Sequence, residues 1–293
     1  MQIKSVAVVG SGFMGGGIAQ VAAQAGYSVT LLDIESGRLQ QALQVIRWSV
    51  DKLVKKGFLK DSTDTILNRI KTSTDLADAK EVDLVIEAVF ENIAVKHEVL
   101  RKLDAICSPR TIIGSNTSTI PITKLAEVTN RPELVIGIHF FGPVPLMRLV
   151  EIIPNPNTNK AVVDTIVEFG KSVGKNPVLV KKDIPGFLMN RIFGAMSCEA
   201  MRLVESGAGS VEDIDQGMCD GFNMRMGPIG IADLAGLDIS LNAFAVMHDL
   251  DPENFVEPPA ILVRLVKEGK LGAKTGEGFY YWSEDGKRLG PAV

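Results

Sequence analysis

Two groups of residues in this chain have the types and spacing to do chemistry. The first is Gly10-Ser11-Gly12-Phe13-Met14-Gly15, a GxGxxG run, with Asp33 downstream. The second is His139 with Glu151 beyond it. A GxGxxG run alone is a weak signal, and its weight comes from its setting. The apolar run Ser5-Val9 precedes it, a helical pattern over 13–25 follows with Gly26 placed to cap it, and Asp33 ends the next strand pattern, Tyr27-Leu32. In that setting Gly10 permits a tight turn, Gly12 leaves room for a pyrophosphate, and Gly15 lets the helix approach the sheet. Phe13 and Met14 open the helix, whose first N–H groups present partial positive charge to phosphate. Asp33 would accept hydrogen bonds from ribose hydroxyls and repel a 2′-phosphate. The expected cofactor is therefore NAD rather than NADP, and Ile34 and Glu35 supply no arginine to reverse that.

The chain has three histidines. His97 falls in a charged amphipathic helix pattern and reads as solvated. His248 sits near a helix end beside Asp249, where a positive imidazole suits the dipole. His139 ends the apolar strand LVIGIHFF, near where ligands lie in an open α/β sheet. Histidine is suited to proton transfer near neutral pH. If the strands carrying His139 and Glu151 are neighbours, the carboxylate would fix the tautomer and stabilise the imidazolium. Spacing leaves this open, because a core histidine satisfied by backbone accounts for the same residues.

The elements that must position these groups follow from periodicity. The first part alternates short β-branched runs with longer helical patterns, the signature of a mostly parallel sheet covered by helices on both faces. Helices are expected over 38–56, 63–70, 93–106 and 159–173, and strands over 82–89, 111–114, 134–140, 148–153 and 177–180. The strands ending at 140 and starting at 148 are joined by a turn containing FGPVP. After Asp183-Ile184-Pro185-Gly186 the pattern turns helical (187–205, 211–220, 229–250, 259–269), with few strand runs. The expected fold is α/β, a Rossmann-type doubly wound sheet over residues 1–184, followed by an all-α domain over 185–293, apolar enough that dimerisation through it is expected.

Composition narrows the function classes. The hydrophobic and charged fractions, 46% and 23%, are those of a soluble globular protein. A formal net charge of −4 provides no global basic field for nucleic acid. Cys107, Cys198 and Cys219 are far apart with no CxxC, which argues against a disulfide framework or zinc site and fits a reducing compartment. No signal-peptide pattern and no apolar run of about 18 residues is expected to reach a membrane. The reading is a cytoplasmic protein with no metal, nucleic-acid or membrane partner. Lys52, Lys55, Lys56 and Lys60 form either a local basic patch or an ordinary solvated helix face. Trp48 and Trp282 are left open between core and interface, and Met189, Met196 and Met201, at helical spacing, read as filling core or pocket.

Several segments together resemble the 3-hydroxyacyl-CoA dehydrogenase family, including its short 3-hydroxybutyryl-CoA members. They are GSGFMGGGIAQ (10–20), VIEAVFEN (85–92), GSNTSTI (114–120), HFFGPVPLMRLVE (139–151), DIPGFLMNRI (183–192), GPIGIADLAGLD (227–238) and GAKTGEGFY (272–280). The resemblance implies that His139 is the catalytic base and Glu151 its partner. It implies that Ser118 and Asn190 hold the substrate oxygen, and that Glu91, Lys96 and Lys274 lie near the cofactor. It also places Ser49 and Lys56 against coenzyme A. The implied activity is reversible NAD-dependent oxidation of a short (S)-3-hydroxyacyl-CoA, such as the 3-hydroxybutyryl thioester, by a homodimer in fatty acid or butyrate-type metabolism. One departure is plain: the family commonly has asparagine after HFF, where this chain has Gly142. Two other readings stand beside this one, an NAD enzyme of a small hydroxy acid without coenzyme A, and a non-catalytic dinucleotide-binding protein.

Overall fold

The computed structural model describes residues 2–293. They divide into two compact units, the first ending at Ile184 and the second running Pro185–Val293.

The first unit contains β1 (Ser5–Val9), α1 (Phe13–Gln24), β2 (Ser28–Leu32), α2 (Ser36–Lys55), α3 (Thr63–Leu67), β3 (Ile70–Ser73), β4 (Leu84–Glu87), α4 (Ile93–Ile106), β5 (Ile112–Ser115), α5 (Ile122–Ala126), β6 (Val135–Phe140), β7 (Leu149–Pro154), α6 (Lys160–Ser172) and β8 (Asn176–Leu179). The strands form one sheet in the order β3-β2-β1-β4-β5-β6-β7-β8. Pairing is parallel from β3 through β6, β7 runs antiparallel to β6, and β8 runs parallel to β7. The β-branched runs become strands because helices cover both faces and bury them: β4 and β6 have no exposed or half-buried position. Val6, Ile18, Leu31, Ile46, Ile86 and Ile138 belong to the resulting core.

This topology positions the site. β1 lies between β2 and β4, so successive crossovers leave it in opposite directions and open a crevice at the carboxyl ends of the strands. The glycine loop follows β1 there, and β4, β5 and β6 end on the same edge because they are parallel to β1.

Three differences from the sequence reading have local causes. The helix expected over 63–70 stops at Leu67. The Arg69 guanidinium then bonds Asp61 and the Ala23 carbonyl, and the chain enters the edge strand β3, too short and too exposed to show an apolar run. The second unit contains α7 (Met189–Glu205), α8 (Val211–Phe222), α9 (Pro228–Ala235), α10 (Leu237–Leu250) and α11 (Ala260–Lys267). Here the helix expected over 229–250 is two, α9 and α10, bent by 103° at Gly236, whose φ of +105° favours glycine. The unit is not purely helical either, for it ends in a hairpin of β9 (Tyr280–Trp282) and β10 (Arg288–Pro291). Buried Asp233 anchors it by accepting bonds from the N–H groups of Phe279 and Tyr280 and from Trp282 Nε1. Among the described residues no single helix is long and apolar enough to cross a membrane.

A β-carbon at Gly15 would run into the Gly10 carbonyl oxygen, so α1 can approach the loop only with glycine there. Gly15→Ala is expected to destabilise the fold by about 1–3 kcal/mol, the usual penalty of overpacking, and to weaken dinucleotide binding. Urea unfolding and a binding titration check the two effects.

Candidate active site

The glycine loop is built to receive a phosphate. α1 starts at Gly12 with no side-chain cap and no acid in its first turn, so its first N–H groups face outward with the helix dipole behind them. A β-carbon at Gly12 would meet nothing within 4 Å, which leaves the approach open. Asp33, directly after β2, accepts from Ser11 N at 2.8 Å and Ser11 Oγ at 2.7 Å through Oδ2, and from Glu35 N at 3.2 Å through Oδ1. Burial pushes its carboxyl up, but the bonds from Ser11 and Glu35 and the nearby Arg38 outweigh burial and hold it below the ordinary carboxylate range. An ionised, oriented Asp33 suits the ribose hydroxyls of NAD. Arg38 escaped the sequence reading, which stopped at Glu35; the first turn of α2 brings it back beside Asp33, and it pairs with Glu35 at 3.1 Å.

His139 and Glu151 are direct partners in the antiparallel β6–β7 ladder. Both are buried, and His139 Nδ1 lies 2.8 Å from Glu151 Oε2. Glu151 is placed by register, since opposed residues in a ladder share a face. Asn116, just past β5, accepts the Phe140 N–H at 2.9 Å, which ties the strand end carrying His139 to the loop carrying Ser118.

That loop is organised by charge. Glu91 Oε1 accepts from Thr117 Oγ1, Ser118 N, Thr119 N and Thr119 Oγ1, at 2.6 to 3.0 Å. Lys96, 1% exposed, donates to Glu87 Oε1 at 2.8 Å and lies 3.2 Å from Glu91 Oε2. Glu87, wholly buried at the end of β4, also accepts from Val89 N and Ser115 Oγ. Burial pulls the Lys96 ammonium down, but its two carboxylates outweigh that and hold it above the usual lysine range. For Glu91 burial pushes up, and Lys96 with the loop hydrogen bonds brings the carboxyl below its ordinary range. Glu91 therefore spends Oε1 on the 117–119 loop and Oε2 on Lys96, while the Lys96 ammonium is spent on Glu87, Glu91 and the Val89 carbonyl. Glu87 was missed, although an acid inside the apolar run VIEAV was the available signal.

A cavity of about 860 Å³ lies in the first unit between α1, α2 and the 143–146 segment. Ser49 and Lys56 line it together with Arg38, Lys52, Trp48 and Phe58, and Ser49 Oγ accepts from Gln20 Nε2 at 3.0 Å. Gly142 adjoins it, and its lack of a side chain has a visible reason: a β-carbon there would lie 2.6 Å from Phe13 Cε1. Asn190 lies in the first turn of α7, and Lys274 pairs with Asp238 at the start of α10. Both belong to the second unit.

The family model for the 3-hydroxyacyl-CoA dehydrogenase NAD binding domain matches residues 5–184, and that for the family's C-terminal domain matches 186–282. The human mitochondrial hydroxyacyl-coenzyme A dehydrogenase is 42% identical, covering 95% of this chain and 91% of its own. A probable 3-hydroxybutyryl-CoA dehydrogenase of Bacillus subtilis is 41% identical, covering 97% and 99%. The crystal structure of (S)-3-hydroxybutyryl-CoA dehydrogenase from Ralstonia eutropha superposes with a TM-score of 0.91 at 41% identity, covering 96% of this chain and all of that one.

The Glu91 geometry predicts a pH signature. A carboxylate held below its ordinary pKa of 4.5 contributes stability that is present above that value and is lost as pH falls through the depressed one. Glu91→Gln is expected to lower stability by about 1–3 kcal/mol at neutral pH, as for a lost buried charged partner. The gap to wild type should narrow on acidification below about pH 4.5. Thermal unfolding followed across pH reads both.

Proposed function

The chain belongs to the 3-hydroxyacyl-CoA dehydrogenase family, and from that premise we propose how its own residues carry out the NAD-dependent interconversion of a 3-hydroxyacyl-CoA and its 3-oxo form, with a short acyl chain such as hydroxybutyryl as substrate. The observation that carries the proposal is the buried His139–Glu151 pair at the carboxyl edge of the sheet.

Glu151, as a carboxylate, accepts from Nδ1–H and so leaves Nε2 of His139 as the atom that takes the proton from the 3-hydroxyl. The positive imidazole that results is stabilised by the same carboxylate, and in reduction the proton returns by the same path. Ser118, whose backbone N–H is fixed by Glu91, orients the substrate oxygen, a positioning contribution. The glycine loop and Asp33 hold NAD, which when bound supplies the hydride acceptor. Glu91 and Lys96 reach the cofactor side through the loop they organise. The cavity beside Ser49, Lys52 and Lys56 takes the coenzyme A arm. For Asn190 and Lys274 the proposal rests on family membership alone.

We also propose a homodimer, because Ile192, Phe222, Leu234 and Ile239 of the second unit are large apolar side chains left exposed in the single chain. A cytoplasmic location is supported by three unpaired cysteines, two of them buried thiols pushed up to about 11 by desolvation.

NADH oxidation is expected with acetoacetyl-CoA and not with free acetoacetate; turnover of the free acid alone would overturn the substrate class. His139→Gln should lower kcat roughly a hundredfold to ten-thousandfold while NADH still binds. Sedimentation at micromolar concentration should give twice the chain mass.

A further inference from the structure

Trp48 stands on α2 in an unusual state for its residue type: it is 60% exposed, yet it lines the cavity between α1, α2 and the 143–146 segment. A tryptophan this exposed contributes little to the core, and its indole offers a large flat apolar surface to an occupant of the cavity it lines. One turn along the same helix, the Lys52 ammonium sits 3.6 Å from the centre of the Trp48 ring, a cation–π contact. Lys56 and Phe58 extend the same wall past the end of α2. An apolar cavity rimmed by Arg38, Lys52 and Lys56, on a chain of net charge −4, is a local positive site and calls for an anionic occupant.

The cavity also has a direction. Its Gly12, Phe13 and Pro143 end lies at the carboxyl edge of the sheet, just beyond His139. Trp48 is twelve residues into α2, about 18 Å along it at 1.5 Å per residue. A thioester reacting at the sheet edge therefore places its distal part here. In an acyl-CoA only the nucleotide combines an aromatic face with phosphates.

We propose that Trp48 is the surface on which the purine of coenzyme A stacks, beside the lysines already assigned to the coenzyme A arm. This rests on the acyl-CoA reading above. Trp48 is then a specificity residue: it distinguishes a nucleotide-bearing thioester from the same acyl group on a shorter arm.

The chain has two tryptophans. The other, Trp282, is 6% exposed and bonded to Asp233 in the second unit, so a change on ligand binding reports Trp48. With NAD⁺ saturating, coenzyme A and adenosine 3′,5′-bisphosphate should each quench tryptophan emission saturably, and Trp282→Phe should keep that quench. Trp48→Ala should raise KM for acetoacetyl-CoA about tenfold, in line with base–aromatic stacking, with a much smaller change in kcat. Trp48→Phe should restore part of the loss. The preference in kcat/KM for acetoacetyl-CoA over acetoacetyl-N-acetylcysteamine should fall about tenfold in Trp48→Ala. Equal losses on both thioesters, or no quench by the bisphosphate, would overturn the assignment. Turnover of acetoacetyl-CoA with KM unchanged in Trp48→Ala sinks this inference alone, whereas turnover of acetoacetate only sinks the acyl-CoA reading with it.

Discussion

A lysine ammonium that is almost wholly buried between two carboxylates sets the terms for the active-site edge of the sheet. Lys96 comes from α4, Glu87 from the end of β4, and Glu91 from the turn between them. Taking three charges out of water is unfavourable unless each is paired and its remaining donors or acceptors are satisfied. Here they are: Glu87 also receives Ser115 and the Val89 N–H, and Glu91 receives four donors from the 117–119 loop. The consequence is rigidity where rigidity matters. Removing Lys96 leaves two carboxylates without their cation, and removing Glu91 takes away the acceptor that gathers the donors of the loop carrying Ser118. Organising power of this kind is the best-attested use of buried charge, since net stability is not its strength.

The second constraint is the reversal at β7. In an all-parallel sheet the residues facing His139 across the ladder would lie on a strand entering from the far edge. Because β7 runs back against β6, His139 and Glu151 fall in register as one cross-strand pair. The short connection between these strands stays at the carboxyl edge, beside the glycine loop. The strand that breaks the parallel rule is thus the one that delivers the carboxylate, and β8 then follows β7 in parallel to close the sheet.

Much of this was legible in the residues, and what was not has physical reasons. The strands buried on both faces read as continuous apolar runs, so β1, β4, β5, β6 and β7 were visible, as was the helical pattern beyond residue 185. β3 and the terminal hairpin were not, because edge strands of three or four residues need no apolar run and take their order from neighbours: β3 from β2, and the hairpin from Asp233. The bend at Gly236 was hidden because α9 and α10 keep their helical periodicity up to either side of it. In the site, the glycine loop and Asp33 carry their meaning in local spacing. The pairing of His139 with Glu151 is a matter of strand order, which spacing leaves open. Lys96 and Glu91 were indicated only by the family resemblance, and their burial and mutual pairing arise only in three dimensions; Glu87 carried a local signal, an acid inside the apolar run VIEAV, but its partners come from other elements.

The 141–148 connection shows why a single departure from the family pattern need not be read in isolation. Lys175, buried and with no ion pair among the described residues, donates to the carbonyls of Val144 and Met147 at 2.5 and 2.9 Å, and burial pulls its ammonium below the usual lysine range. This pins the segment from behind. From the front, α1 packs so closely that a β-carbon at Gly17 would lie 2.8 Å from Val144 Cβ. Between these supports, Gly142 yields its space to the ring of Phe13, which belongs to the glycine loop and is 72% exposed. The cofactor loop and the cavity wall are therefore one mechanical piece. An asparagine at 142 would have to displace Phe13, and Phe13 in turn borders both the phosphate-accepting helix end and the cavity. Residue 142 thus adjoins residue 13: a side chain at 142 would have to share space with the exposed Phe13 ring, which can swing outward to admit it.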